Sequence, residues 1–123
     1  MGQPLWTPSP ERIANANVSK FTHMVAEQEG REFPDYQSLH QWSIENSEKF
    51  WQMVWDFCQI LGDKGSERIV ENREEMPGAR WFPDARLNFA ENLLRRRDEG
   101  EALVFKGEDQ VRETLTFSAL YAR

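Results

Sequence analysis

Between Asn46 and Gly62 the chain reads NSEKFWQMVWDFCQILG, and the spacing of its apolar residues predicts a helix that must be covered over nearly half its circumference. Phe50, Val54, Phe57 and Leu61 form one row at three- and four-residue steps, and Trp51, Trp55 and Cys58 form the adjacent row. Each large apolar side chain contributes about 1.5 to 3 kcal/mol when it leaves water. A helix of this kind cannot stand alone, so the rest of the chain has to supply a core. Asn46 is its expected N-cap and Gly62 its stop.

Two further helices are predicted upstream. Ser9-Pro10-Glu11 combines a capping hydroxyl, Pro at the first helical position and an acid at the positive end of the dipole. Ile13, Ala16, Phe21, Met24 and Val25 then share a face, and Gly30 closes what reads as one helix. Asp35 caps the next, in which Tyr36, Leu39 and Trp42 make an apolar stripe that stops near Ile44. Residues 1 to 8 carry Pro4 and Pro8 and should run extended, with the Trp6 ring as an anchor on apolar surface.

Downstream, Gly62 to Glu67 reads as a polar, mobile loop and Arg68 to Glu71 as a short strand. Met76 to Leu94 is the most information-rich run. Pro77-Gly78 makes a turn, Trp81 and Phe82 form a buried aromatic pair, and Pro83 pushes Phe82 into an extended conformation. Asn88 caps a helix, with Glu91 placed for a capping box and Arg95, Arg96 and Arg97 against the negative end of the dipole. Ala102 to Phe105 and Val111 to Leu115 then read as a hairpin turned at Gly107-Glu108-Asp109, and Thr116 caps a helix that reaches Arg123 after about two turns. A two-stranded hairpin is marginal in water, so the sequence reads as a fragment of something larger. The class is α+β, predominantly α-helical.

The totals narrow the function classes. With 15 Lys and Arg against 21 Asp and Glu, the net charge of −6 disfavours nucleic acid as a partner. At 123 residues there is room for one small domain, and 39% hydrophobic with 12% aromatic residues suits a folded chain. The single Cys58 cannot form an internal disulfide, and neither a secretory leader nor a membrane-length apolar run is present. The cytoplasm is the expected compartment. Met1-Gly2 has Trp6 where a myristoylation pattern needs Ser or Thr, and the sequon Asn17-Val18-Ser19 has no secretory route to make it matter.

No residue earns assignment as catalytic, cofactor-binding or metal-binding. Gly62-Asp63-Lys64-Gly65-Ser66 only superficially resembles a nucleotide cradle, since it lacks strand-to-helix context. His23 and Glu27 stand one turn apart, and His40 and Cys58 are isolated, whereas zinc needs three or four ligands. Cys58, among Trp51, Val54, Trp55 and Leu61, reads as a buried core thiol. Glu74-Glu75 and Asp98-Glu99 read as solvated loop carboxylates, Arg95 to Arg97 as an ordinary helix terminus, and the Trp and Phe stripe as core rather than a base-stacking platform.

LHQWSIENSEKFWQMVWDF followed by ARWFPDARLNFAENLL closely resembles the N-terminal region of the acetoacetyl-CoA synthetases, within the adenylate-forming acyl-CoA synthetase superfamily. The opening Trp6-Thr7-Pro8-Ser9 and ERIANANVSKF are similar to that family's leading segment. Asp84 stands where the family usually has Gly, and Ser47 where relatives often have Pro.

The resemblance implies a parent enzyme that joins acetoacetate to CoA through an acyl-adenylate, using ATP and magnesium. It also implies that the phosphate loop, adenine pocket, hinge and catalytic Lys lie beyond this segment. Residues 1–100 are then expected to be the helical N-terminal domain, and residues 101–123 the start of the AMP-binding domain. The segment itself would carry no site and be inactive alone, its partner the remainder of its own catalytic domain. The alternative is a stand-alone helical module that binds another protein through the aromatic face of the third helix.

Overall fold

The computed structural model describes residues 5–123. The extended path expected at Pro4 and the pattern at Met1-Gly2 lie outside the described residues. The chain is α+β and divides into two compact units, one ending at Gln59 and the other beginning at Ile60.

The first unit is helical. Ser9 caps α1 (Pro10–Asn15) as expected, its hydroxyl accepting from the Arg12 N–H at 3.2 Å. The single helix expected to reach Gly30 is, however, broken. Ala16 is extended at φ −65°, ψ 141°, and α2 (Asn17–Glu29) starts beyond it. The reason is local competition for backbone groups: the Ser19 hydroxyl donates to the Ile13 carbonyl at 2.6 Å, satisfying an acceptor at the end of α1. Ile13 is consequently half exposed, while Phe21 and Val25 of α2 are buried. Trp6 is also no anchor in a core: it is 68% exposed, with the Arg12 guanidinium 5.6 Å from its ring.

Gly30 closes α2 in the left-handed conformation, φ 63°. Asp35 caps α3 (Tyr36–Glu45) with a full capping box made with Ser38, where the sequence suggested a cap alone. Asn46 does not cap α4 (Ser47–Phe57). Its side chain donates back to the Trp42 carbonyl at 3.2 Å, beside its own N–H at 2.8 Å, and so finishes α3.

That arrangement leaves the Ser47 hydroxyl, in the first turn of α4, buried with no hydrogen-bond partner among the described residues. An unsatisfied buried hydroxyl is costly. Ser47→Ala is therefore expected to raise the unfolding free energy by about 1 kcal/mol, seen as a higher urea midpoint at unchanged slope. Pro at this position gains less, because Asn46 at ψ 44° is not in the extended region that a residue before Pro prefers.

Helix α4 carries the core, though not quite on the expected rows. Met53 is its buried residue, and Phe50, Val54 and Phe57 pack partly covered against Phe21, Val25, Phe33, Leu39 and Trp42. Phe21 meets Phe50 and Phe57 edge-on at 5.7 and 5.3 Å. Trp51, on the second row, is 41% exposed. The helix ends at Phe57 rather than Gly62, because Gln59 turns left-handed at φ 52° and takes Leu61 off the row. Cys58 falls on that end and is exposed, correcting the expectation of a buried thiol.

The second unit is built from short elements. Strands β1 (Val70–Glu71) and β2 (Arg80–Trp81) pair antiparallel, so the strand expected from Arg68 shrinks to two residues. Ile69, just before β1, is its one buried residue among those described, and its carbonyl accepts from the Phe82 N–H at 2.7 Å. Phe82 itself is left-handed at φ 45°, not extended, because it opens a turn around Pro83 that the Ala85 N–H closes onto its carbonyl at 3.0 Å. Trp81 is 40% exposed and Phe82 only partly covered, so the two rings are not the buried pair expected.

Asn88 caps α5 (Phe89–Leu93), its Oδ1 accepting from the Glu91 N–H at 3.2 Å. The helix stops before the arginine triplet, which is thus not a helix terminus. Strands β3 (Glu101–Lys106) and β4 (Arg112–Thr116) form the expected hairpin, with Leu103 opposite Leu115 and Phe105 opposite Glu113. Thr116 caps α6 (Phe117–Tyr121), accepting from the Ala119 N–H at 3.2 Å.

Candidate functional site

Three helices meet at one carboxylate. Glu29, at the end of α2 and 18% exposed in its side chain, accepts from Lys49 Nζ of α4 at 3.1 and 3.3 Å and from the Trp42 indole N–H of α3 at 3.3 Å. The Lys49 hydrogen bond first, and the Trp42 hydrogen bond after it, hold the Glu29 carboxyl below the usual glutamate range. A carboxylate with a lowered folded pKa contributes stability that is complete above its unfolded value, about 4.3, and is lost as pH falls through the folded value. Acid unfolding of the Glu29→Gln variant should therefore show a shallower loss of stability below about pH 4.3 than the parent. An acid limb of unchanged slope would remove Glu29 from the account.

The same three helices also line an open apolar cleft of about 370 Å3, between Val18 and Phe21 of α2, Tyr36 and Leu39 of α3, and Phe50 and Val54 of α4. His40 stands at its wall with its ring stacked on Tyr36, centroids 6.0 Å apart. Such lining presents mainly apolar surface. Leu39 and Phe50 were legible as stripe residues. Val18 and His40 were not, because only the packing of α2 on α3 places them together.

Exposed apolar surface also marks the hairpin. Leu103, Val104, Phe105 and Val111 are each more than half exposed, although they alternate across both faces of the β3–β4 pair. Both outer edges are free of a strand partner among the described residues. Exposed edges of this kind are templates for further strands.

The residues weighed for chemistry are used otherwise. In the Gly62–Ser66 loop, the Asp63 N–H donates to the Arg86 carbonyl at 2.9 Å, the Arg86 N–H returns to Asp63 at 2.8 Å, and the Gly65 N–H donates to Asp63 Oδ1 at 2.9 Å. The Asp63 and Gly65 N–H groups, two that a phosphate would use, are thus engaged, and the loop is tied to Arg86. Asp84 anchors it further through the Ser66 hydroxyl and both Arg68 contacts at 3.0 Å, which hold its carboxyl low. Asp84 is not among the residues with positive φ, so its replacement of Gly meets no backbone conflict.

His23 lies 3.3 Å from Glu27 with both side chains exposed. Among the described residues, no three His, Cys, Asp or Glu side chains converge as a metal set. Asp98 is held low by Arg96 and then by the Gly100 N–H, so it stays ionised and is no general acid near neutral pH. Arg96 also covers the Phe117 ring at 4.1 Å, and Arg97 the Tyr121 ring at 3.8 Å. The arginines fasten α6, a role no local pattern announces across more than twenty residues. No helix among the described residues is long and apolar enough to cross a membrane.

Residues 36–93 match the family model described as the acetyl-coenzyme A synthetase N-terminus. Over 120 residues, 98% of the chain, the sequence is 42% identical to the acetoacetyl-coenzyme A synthetase of Rhizobium meliloti. The chain is homologous to the N-terminal region of the acetoacetyl-CoA synthetases. The acetoacetyl-CoA synthetase of Danio rerio is 32% identical over 94% of the chain, and the malonamoyl-CoA synthetase vrtB of Penicillium aethiopicum is 33% identical over 97%. The chain spans less than a fifth of the length of these synthetases: 18% of the bacterial one and 17% of the other two. No solved structure gives a match.

Proposed function

We propose that the chain is the N-terminal part of a longer acetoacetate:CoA ligase, in which it braces the catalytic domain and contributes no catalytic, nucleotide-binding or metal-binding residue. In the parent reaction, acetoacetate and ATP give acetoacetyl-AMP and pyrophosphate with magnesium, and the CoA thiol then displaces AMP. The observation that carries this reading is the 42% identity to an acetoacetyl-CoA synthetase over nearly the whole chain.

The residues of this segment do not fit a magnesium–ATP site. The Asp63 and Gly65 amides of the loop are engaged, and Asp84 and Asp98 are held by arginines. Nucleotide and CoA chemistry is accordingly assigned to the remainder of the parent. The hairpin from residue 101 is taken as the start of the AMP-binding domain and residues 1–100 as the helical N-terminal domain. The exposed apolar residues of β3 support that boundary, since they call for further strands. The compartment proposed is the cytoplasm.

Acetoacetate as the acyl group rests on the relative with the highest of the three identities. The malonamoyl and zebrafish acetoacetyl enzymes are equally similar to this chain, at 33% and 32%, so acyl choice is not written in this segment. The competing reading, a stand-alone interaction module, draws on the open cleft of the helical unit.

The test is to express the chain with its continuing reading frame and follow pyrophosphate release with ATP, magnesium and CoA. Release that depends on acetoacetate is expected, and the 123-residue chain alone is expected to bind neither ATP nor CoA. Release supported by another acid and not by acetoacetate would overturn the substrate. Specific ATP or CoA binding by the isolated chain would overturn the assignment of those sites elsewhere.

A further inference from the structure

We draw no further inference here: the strongest candidate, the open apolar cleft between α2, α3 and α4 lined by Val18, Phe21, Tyr36, Leu39, Phe50 and Val54, is an unpartnered face, and nothing in the structure shows what covers it.

Discussion

Trp42→Ala is expected to lower the unfolding free energy of the helical unit by about 3 to 5 kcal/mol, the range for removing a buried aromatic ring. Trp42 is 1% exposed and is the largest fully buried side chain. Its ring meets Phe33 and Phe50 edge-on at 5.8 and 6.5 Å, so the cavity left behind borders α4 and the segment before α3. Its indole N–H also donates to Glu29, a hydrogen bond that the truncation removes. Small domains hold only about 5 to 15 kcal/mol in total, so this one change should bring the unit close to its unfolding threshold.

Urea unfolding of the 123-residue chain, followed by far-UV circular dichroism, measures the effect. Trp42→Phe separates the two contributions. It keeps an aromatic ring and loses the hydrogen bond, and a loss of about 1 to 2 kcal/mol is expected. A Trp42→Ala variant within about 1 kcal/mol of the parent would mean that the three helices do not pack around this ring.

The second large effect belongs to the other unit. Gly65 sits at φ +76°, and a Cβ there would lie 2.4 Å from the Asp84 carbonyl oxygen and 2.6 Å from its carbon. Backbone cannot give way as a flexible side chain can. Gly65→Ala should therefore cost about 2 to 3 kcal/mol, combining left-handed strain with displacement of the loop. Displacement would also break the paired hydrogen bonds between Asp63 and Arg86.

Gly30→Ala is the matched control. Gly30 has a similar φ of +63° but nothing within 4 Å of the added Cβ, so only the conformational cost of about 1 kcal/mol applies. Hydrogen exchange at the Asp63 and Arg86 amides reads the difference locally. Equal costs for the two variants would show that close packing of the loop on residues 84–87 contributes nothing.

How far the fold could be read from the sequence follows from the range of the interactions involved. The caps at Ser9, Asp35, Asn88 and Thr116 were legible because each is made within three residues of itself. The hairpin was legible from alternation and its Gly107 turn. What failed was set by distant partners. The loop after Gly62 looks mobile until Arg86 and Asp84 are brought beside it. Trp81 and Phe82 look buried until Phe82 turns left-handed to pair with Ile69. The arginine triplet looks like a helix end until Arg96 and Arg97 are found on the rings of α6.

The candidate site divides in the same way. Its aromatic floor was visible as helical stripes, whereas its walls at Val18 and His40 depend on tertiary packing. Asn92 is a further example. Its side chain accepts from the Leu61 N–H at 2.7 Å and donates to the Leu61 carbonyl at 2.8 Å, imitating a strand partner across 31 positions. Nothing near Asn92 in the sequence signals that role.

The most direct test of the central claim, that this chain is the N-terminal part of a longer ligase, is the mass of the native product in the source cell, detected with an antibody raised against the chain. A product of about 80 kDa is expected, since 14.5 kDa corresponds to 18% of the length of the bacterial relative. A product at 14.5 kDa would contradict the ligase assignment and favour a free-standing interaction module.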